Sequence, residues 1–238
     1  METDDDPRDF LAETPKLIPY TGHVGLIDEP IRVALGNTIL RHHMEFSDEP
    51  YGKERFEYGL VRAFMNAGRQ ASKAPRGRSG YDVELEGLRF NLKTQADKEL
   101  CRDFVLISKY MEIGKGPPWT HDPATFQWLK TKFLAHLADY RGVLMLRSYP
   151  YTIANFWHYE LLEIPLAVLA KAEETCLQVA DRSDTIPPAI HSFVQDAAGP
   201  LFKLNFQGGG ERKMSVCGIR RDACILHSEW SFTAPRKE

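Results

Sequence analysis

The chain has 238 residues and a net charge of −3; 26% of the residues are charged and 43% hydrophobic. That length supports one domain with a full core, and the balance is that of an ordinary globular chain whose negative sign weighs against a general nucleic-acid coat protein. No apolar run reaches the ~18 residues of a membrane-spanning helix, the acidic start METDDDPRDF lacks the apolar stretch of a secretory signal, and four cysteines without a C-x-x-C pair (Cys101, Cys176, Cys217, Cys224) argue against a zinc site or disulfide scaffold and for a reducing cytoplasm.

Residues 1–30 read as an irregular acidic segment, and 31–238 as one domain. Ile31–Met44 has the spacing of a short helix broken near Gly36; its His42-His43 pair points two ways, so ordinary hydrogen-bonded histidines are expected rather than a shared metal. Ser47-Asp48-Glu49-Pro50 marks a helix start, and Lys53–Gly68 repeats Phe56, Leu60, Phe64 and Ala67 on one face. Glu57 borders that buried stripe and needs a partner: a metal ion, Arg55, Arg62 or a backbone amide. Arg69, Lys73, Arg76 and Arg78 follow within a stretch containing no acid, which suits either a phosphate-tracking surface or a plain basic loop.

Ser79–Gln95 reads as a tight hairpin. Val83 and Leu85 alternate with acids, Leu88, Phe90 and Leu92 alternate with Arg89, Asn91 and Lys93, and Glu86-Gly87 supplies a two-residue turn in which glycine takes a positive φ. With that turn Leu85 pairs with Leu88 and Val83 with Phe90, so Asp82 lies opposite Asn91 and one diagonal step from Lys93. One face is apolar. The other gathers a carboxylate, an amide and an amine around a volume that fits one small ion. A carboxylate and an amide oxygen are hard ligands suited to Mg²⁺; such an ion polarises a phosphate and acidifies a bound water, and a lysine beside it orients or deprotonates the attacking water. The same pattern also occurs on plain solvated hairpins.

Beyond the hairpin, Asp103–Lys109 is a short continuous apolar strand, and MEIGKGPPW is a loop enforced by its glycines and prolines. Asp122-Pro123 caps a helix running to about Tyr140, and Val143–Arg147 is a strand. Phe156–Ile164 is a further strand and Leu166–Ala170 a short helix. Thr185–Pro200 reads as loop, and Leu201–Phe206, Lys213–Cys217 and Cys224–Phe232 as strands. QGGGER between two of these lacks the G-K-[ST] ending of a nucleotide loop and reads as a wide turn presenting Glu211, Arg212 and Lys213. From Lys53 the order is αβββαβ.

Asp82, then Asn91-Leu92-Lys93 eight residues on, resembles the PD-(D/E)xK nuclease superfamily, whose core has that same αβββαβ order; Asn91 stands where the second acid is usual. Over about Gly36 to Phe232 the chain resembles more closely the SmaI family of type II restriction endonucleases, through GYDVELEGLRFNLKTQ, ISKYMEIGKG, FQGGGERK, CILHSEW, the His42-His43 and Phe56-Glu57 pairs, and LEIP at Leu162–Pro165. The resemblance implies an α/β (α+β) fold with a restriction-endonuclease-like core, a mixed sheet flanked by helices. It implies a Mg²⁺-dependent homodimer that cuts double-stranded DNA at CCCGGG, centrally and blunt, in a host that carries a companion DNA methyltransferase. Asp82 and Lys93 then take the metal-holding and water-activating roles, with Asn91, the Leu92 carbonyl and Glu57 completing the site. Guanine O6 and N7 favour Arg or Lys, and cytosine N4 favours Asp or Glu, so Lys109, Glu112, Lys115, Arg147, Glu211, Arg212 and Lys213 are candidate readers, with Arg76 and Arg78 on phosphates. A homing, repair or junction-resolving nuclease on this core, or a catalytically dead DNA-binding protein, are the alternatives.

Overall fold

The computed structural model describes residues 16–17, 25–75, 77, 80–96, 100–114, 122–151, 156–179, 189–208 and 212–234. In chain order these form β1 (Lys16–Leu17), α1 (Glu29–Glu45), α2 (Lys53–Asn66), β2 (Ala71–Lys73), β3 (Val83–Leu85), β4 (Leu88–Gln95), β5 (Phe104–Glu112), α3 (Pro123–Leu137), β6 (Gly142–Tyr151), β7 (Phe156–Pro165), α4 (Leu166–Ala170), β8 (Gln178–Val179), β9 (Ile190–Asp196), β10 (Gly199–Phe206), β11 (Lys213–Arg220) and β12 (Ile225–Thr233). The fold is mixed α+β, with two sheets flanked by helices.

The described elements divide into two compact units. The first holds a seven-stranded sheet of order β1-β12-β7-β6-β4-β3-β2. It is mixed: β4 runs parallel to β6 and antiparallel to β3. Alternate residues of its strands (Val83, Leu85, Phe90, Leu92, Leu144, Leu146, Trp157, Tyr159, Leu161, Trp230, Phe232) join Ile31, Leu35 and Ile39 of α1 and Phe56, Leu60 and Phe64 of α2 in one apolar core. Burying such side chains stabilises the unit by roughly 1.5–3 kcal/mol each. α1 begins at the N-cap Asp28, whose carboxylate accepts the Ile31 N–H at 3.3 Å. It runs unbroken through Gly36, where the sequence reading breaks it. The glycine is there for close approach: a Cβ on Gly36 would stand 2.4 Å from Nε1 of Trp230. α2 begins at Lys53, as the sequence reading has it, behind an N-cap Gly52 that offers no side-chain cap.

The second unit is a five-stranded sheet of order β5-β11-β10-β9-β8 with α3 and α4. Two sequence expectations change here. β5 does not join the hairpin's sheet; it pairs antiparallel with β11, and it is buried on one face only, through Val105, Ile107 and Tyr110, leaving Phe104 and Leu106 exposed. The expected 185–200 loop contains β9, whose Ile190, Ser192 and Val194 are buried in alternation. Pro200 does not exclude it: it sits in β10 opposite Gln195 of β9, where the register is irregular.

Candidate active site

The hairpin forms as its turn chemistry requires. Val83 pairs with Phe90 and Leu85 with Leu88, and both turn residues are left-handed, Glu86 at φ 51° and Gly87 at φ 76°. A glutamate in that region is costly. Here it is held from both ends, its N–H donating to the Gln70 carbonyl at 2.9 Å and its carboxylate accepting the Gln70 N–H at 2.6 Å.

At the open end of the hairpin the ladder parts. The Asp82 N–H still donates to the Phe90 carbonyl at 2.9 Å, but its carbonyl turns away to accept from Ala74 at 2.8 Å. The freed N–H of Leu92 donates instead to Oδ2 of Asp82, at 2.6 Å. The Asp82 carboxylate is thereby fixed on the backbone between Asn91 and Lys93, the two residues of β4 that alternate away from the buried Phe90 and Leu92. Asn91 is buried. Its Nδ2 donates to the Gly80 carbonyl at 2.9 Å, and its Oδ1 is buried with no hydrogen-bond partner. Lys93, half-buried, stands opposite Met145 in the parallel β4–β6 pair.

Two lysines complete the arrangement: Lys53, which the sequence pattern does not single out, and Lys73, from the basic stretch before the hairpin. Nζ of Lys53, in the first turn of α2, lies 2.9 Å from Oδ1 of Asp82 and 3.8 Å from Oε1 of Glu57, one helical turn further on. Nζ of Lys73, at the end of β2, lies 3.0 Å from Oε2 of Glu57 and 3.6 Å from the centre of the Tyr58 ring. Burial works against the Lys73 ammonium, but the hydrogen bond and charge of Glu57 outweigh it and hold its pKa above the usual lysine value. Glu57 is thus satisfied by lysines, where the sequence offered Arg55, Arg62, an amide or a metal. Two carboxylates, Asp82 and Glu57, already share one positive charge at Lys53. With the unpartnered Asn91 oxygen they make an all-oxygen donor set, which fits a hard cation.

Comparison with known proteins decides what chemistry this belongs to. The family model for SmaI, a type II site-specific deoxyribonuclease, matches residues 19–232. The type II restriction enzyme SmaI of Serratia marcescens is 30% identical over 202 residues, covering 84% of this chain and 78% of that enzyme. The chain belongs to the SmaI family of type II site-specific deoxyribonucleases. A solved structure described as a restriction endonuclease in complex with substrate DNA aligns with 78% of this chain and 70% of that one, at 14% identity and a TM-score of 0.34.

For a SmaI-family endonuclease the remaining candidates are those that would read DNA. Four of them meet in the second unit: Lys213 pairs with Glu112 across β11 and β5, the Ile113 N–H donates to the Arg212 carbonyl at 2.8 Å, and Nζ of Lys109 lies 2.7 Å from Oε1 of Glu112. Lys109 and Glu112 are both exposed; the hydrogen bond and charge of Lys109 lower the pKa of Glu112. Arg212 takes a positive φ of 36° at the mouth of the wide turn. Arg147 is differently placed. It is fully buried in the first unit, its Nη1 donating to Glu160 at 3.1 Å, so its packing supplies a reason for its charge that needs no base. Lys115, Glu211, Arg76 and Arg78 lie outside the described residues. Among the described residues no helix is long and apolar enough to cross a membrane.

Proposed function

We propose that this endonuclease hydrolyses both strands of double-stranded DNA at CCCGGG, cutting centrally to leave blunt ends, as a Mg²⁺-dependent homodimer. The observation that carries the reading is the Asp82 carboxylate pinned by the N–H of Leu92, the residue between Asn91, whose Oδ1 is buried without a hydrogen-bond partner, and Lys93. Asp82, the Asn91 Oδ1, the Leu92 carbonyl and Glu57 would hold the ion, which when bound supplies positive charge to the scissile phosphate and acidity to a water. The Lys93 amine orients the attacking water and takes up its proton as the water oxygen bonds to phosphorus, the bond from phosphorus to the leaving sugar oxygen breaks, and that oxygen takes a proton from solvent. Lys53 and Lys73 keep the two carboxylates apart and partly neutralised. Their positive charge also favours the trigonal-bipyramidal phosphorane, which carries more charge than the diester it forms from.

The cluster at Lys109, Glu112, Arg212 and Lys213 offers cations for guanine O6 and N7 and a carboxylate for cytosine N4, the groups a G·C-only site displays; a bidentate pair contributes about 1–3 kcal/mol of discrimination. A palindromic site is read symmetrically by a two-fold dimer. Incubation with a plasmid bearing one CCCGGG, with and without Mg²⁺, followed by sequencing of the ends, tests the whole reading. Linear product with blunt ends at the centre of the hexamer is expected. Staggered ends, another site, or no cleavage with any divalent metal would overturn it. Asp82→Ala and Lys93→Ala are each expected to lower cleavage by at least a thousandfold, roughly 4 kcal/mol of barrier; near-wild-type rates in both would move the chemistry elsewhere.

A further inference from the structure

We propose that His158, Glu160 and Glu229 form a second cation site, for a divalent transition metal, in the first unit and apart from the hairpin. β7 and β12 are neighbours in the seven-stranded sheet. Trp157, Tyr159 and Leu161 of β7, with Trp230 and Phe232 of β12, enter the apolar core; the residues between them, His158, Glu160, Glu229 and Ser231, therefore project from the other face. One ligand atom from each of His158, Glu160 and Glu229 lies within 4.8 Å of the other two. His158 and Glu160 are 8% and 4% exposed.

The histidine itself points to the ligand. Its Nδ1 stands 2.9 Å from the Ser231 hydroxyl. With the Nδ1 proton donated there, the Nε2 lone pair is turned inward. Nε2 is buried without a hydrogen-bond partner, 3.6 Å from Oε1 of Glu229. In that tautomer two acceptors face each other, and they repel unless something positive lies between them. A proton would draw an imidazolium and a carboxylate to about 2.7–2.9 Å. The same two strands show that contact a few residues along, where Nε2 of His227 lies 2.8 Å from Glu163. The His158–Glu229 gap is longer, and matches the roughly 3.3–3.5 Å edge between two ligands sharing a tetrahedral ion with bonds of ~2.0–2.2 Å.

The surroundings hold the ligands as metal sites do. Ser231 orients the imidazole, while Oε2 of Glu160 accepts from Arg147 at 3.1 Å and from Tyr149 at 2.8 Å. Arg147 offsets the Glu160 charge. An imidazole beside two carboxylates selects Zn²⁺, Co²⁺ or Mn²⁺ over Mg²⁺, in contrast to the all-oxygen hairpin set. Such an ion ties β7 to β12 and stiffens the far half of the sheet.

The test uses the full-length, tag-free chain carrying Asp82→Ala, stripped with EDTA and titrated with Co²⁺ in excess Mg²⁺. One Co²⁺ per chain with the visible absorption of a nitrogen- and oxygen-ligated ion is expected. Affinity should fall at least tenfold in both His158→Gln and Glu229→Gln, each checked for native circular dichroism. Zn²⁺ should raise the unfolding midpoint of the Asp82→Ala chain and leave that of its His158→Gln derivative unchanged. No Co²⁺ binding by the Asp82→Ala chain, or binding that survives either folded variant, would overturn the site.

Discussion

In the proposed site, Asn91 sets how much negative charge the hairpin would offer a metal. Asp82 spends one oxygen on the Leu92 N–H at 2.6 Å and the other on Lys53 at 2.9 Å, so a cation arriving there competes with an ammonium already in place. An aspartate at position 91 would add a charge where the structure has an unpartnered amide oxygen. Ligand charge tunes the affinity of oxygen sites for divalent ions, so Asn91→Asp is expected to lower the Mg²⁺ concentration for half-maximal cleavage severalfold. The same change removes the N–H that donates to the Gly80 carbonyl at 2.9 Å and sets two acceptors face to face, at a cost to stability of about 1–3 kcal/mol. A Mg²⁺ titration of plasmid cleavage beside a urea denaturation curve checks both halves. An unchanged Mg²⁺ requirement would take Asn91 out of the ligand set.

Elements were legible where their signals were local. The hairpin register follows from a two-residue turn and a period of two, and Val83↔Phe90 and Leu85↔Leu88 pair as those rules require. Asn91 and Lys93 could therefore be placed on one face from letters alone, whereas Asp82, read as the next pair opposite Asn91, leaves the ladder and turns its carboxylate to the Leu92 N–H. Lys53 could not, since its contact with Asp82 joins a helix to a hairpin 29 residues away, and nothing in a periodicity encodes that packing. For the same reason the strand at Phe104–Glu112 was visible as a strand while its partner, β11, was not. Gly36 misled in an instructive way. Glycine lowers helix propensity by only ~1 kcal/mol, which the packing of α1 on the sheet overrides; what the position needs is room for the Trp230 indole, whose Nε1 donates to the Arg32 carbonyl at 3.2 Å. Gly36→Ala should raise intrinsic helix propensity and still destabilise the protein, by roughly 1–3 kcal/mol of overpacking, with a shift in tryptophan fluorescence. A stabilised Gly36→Ala variant in chemical denaturation would show that α1 and β12 do not meet there.

At the scale of the whole molecule, the two units have different acid sensitivities. His43 in the first unit is fully buried, its Nε2 2.7 Å from the Tyr159 hydroxyl and its ring 4.3 Å from that of Trp157. Burial, helped by the neighbouring His42, pushes its pKa down to about 4. An unfolded histidine titrates near ~6.5, so between those values the unfolded chain binds a proton that the native one refuses. Stability is then complete above about pH 6.5 and declines as pH falls toward 4, by on the order of 3 kcal/mol. His42 is shifted in the same direction, again by burial first. The second unit answers to a carboxylate instead. Arg220 grips Asp196 through two hydrogen bonds of 3.0 and 2.9 Å and lowers its pKa, a contribution present above the ordinary carboxylate pKa of ~3.9 and lost only below it. Thermal unfolding followed from pH 8 to pH 3 should accordingly show a first loss of stability between 6.5 and 4 that His43→Gln flattens, and a later one below 4 that Asp196→Asn removes. A profile level down to pH 4 in the unsubstituted protein would mean that His43 is not held neutral in the core of the unit that carries the hairpin.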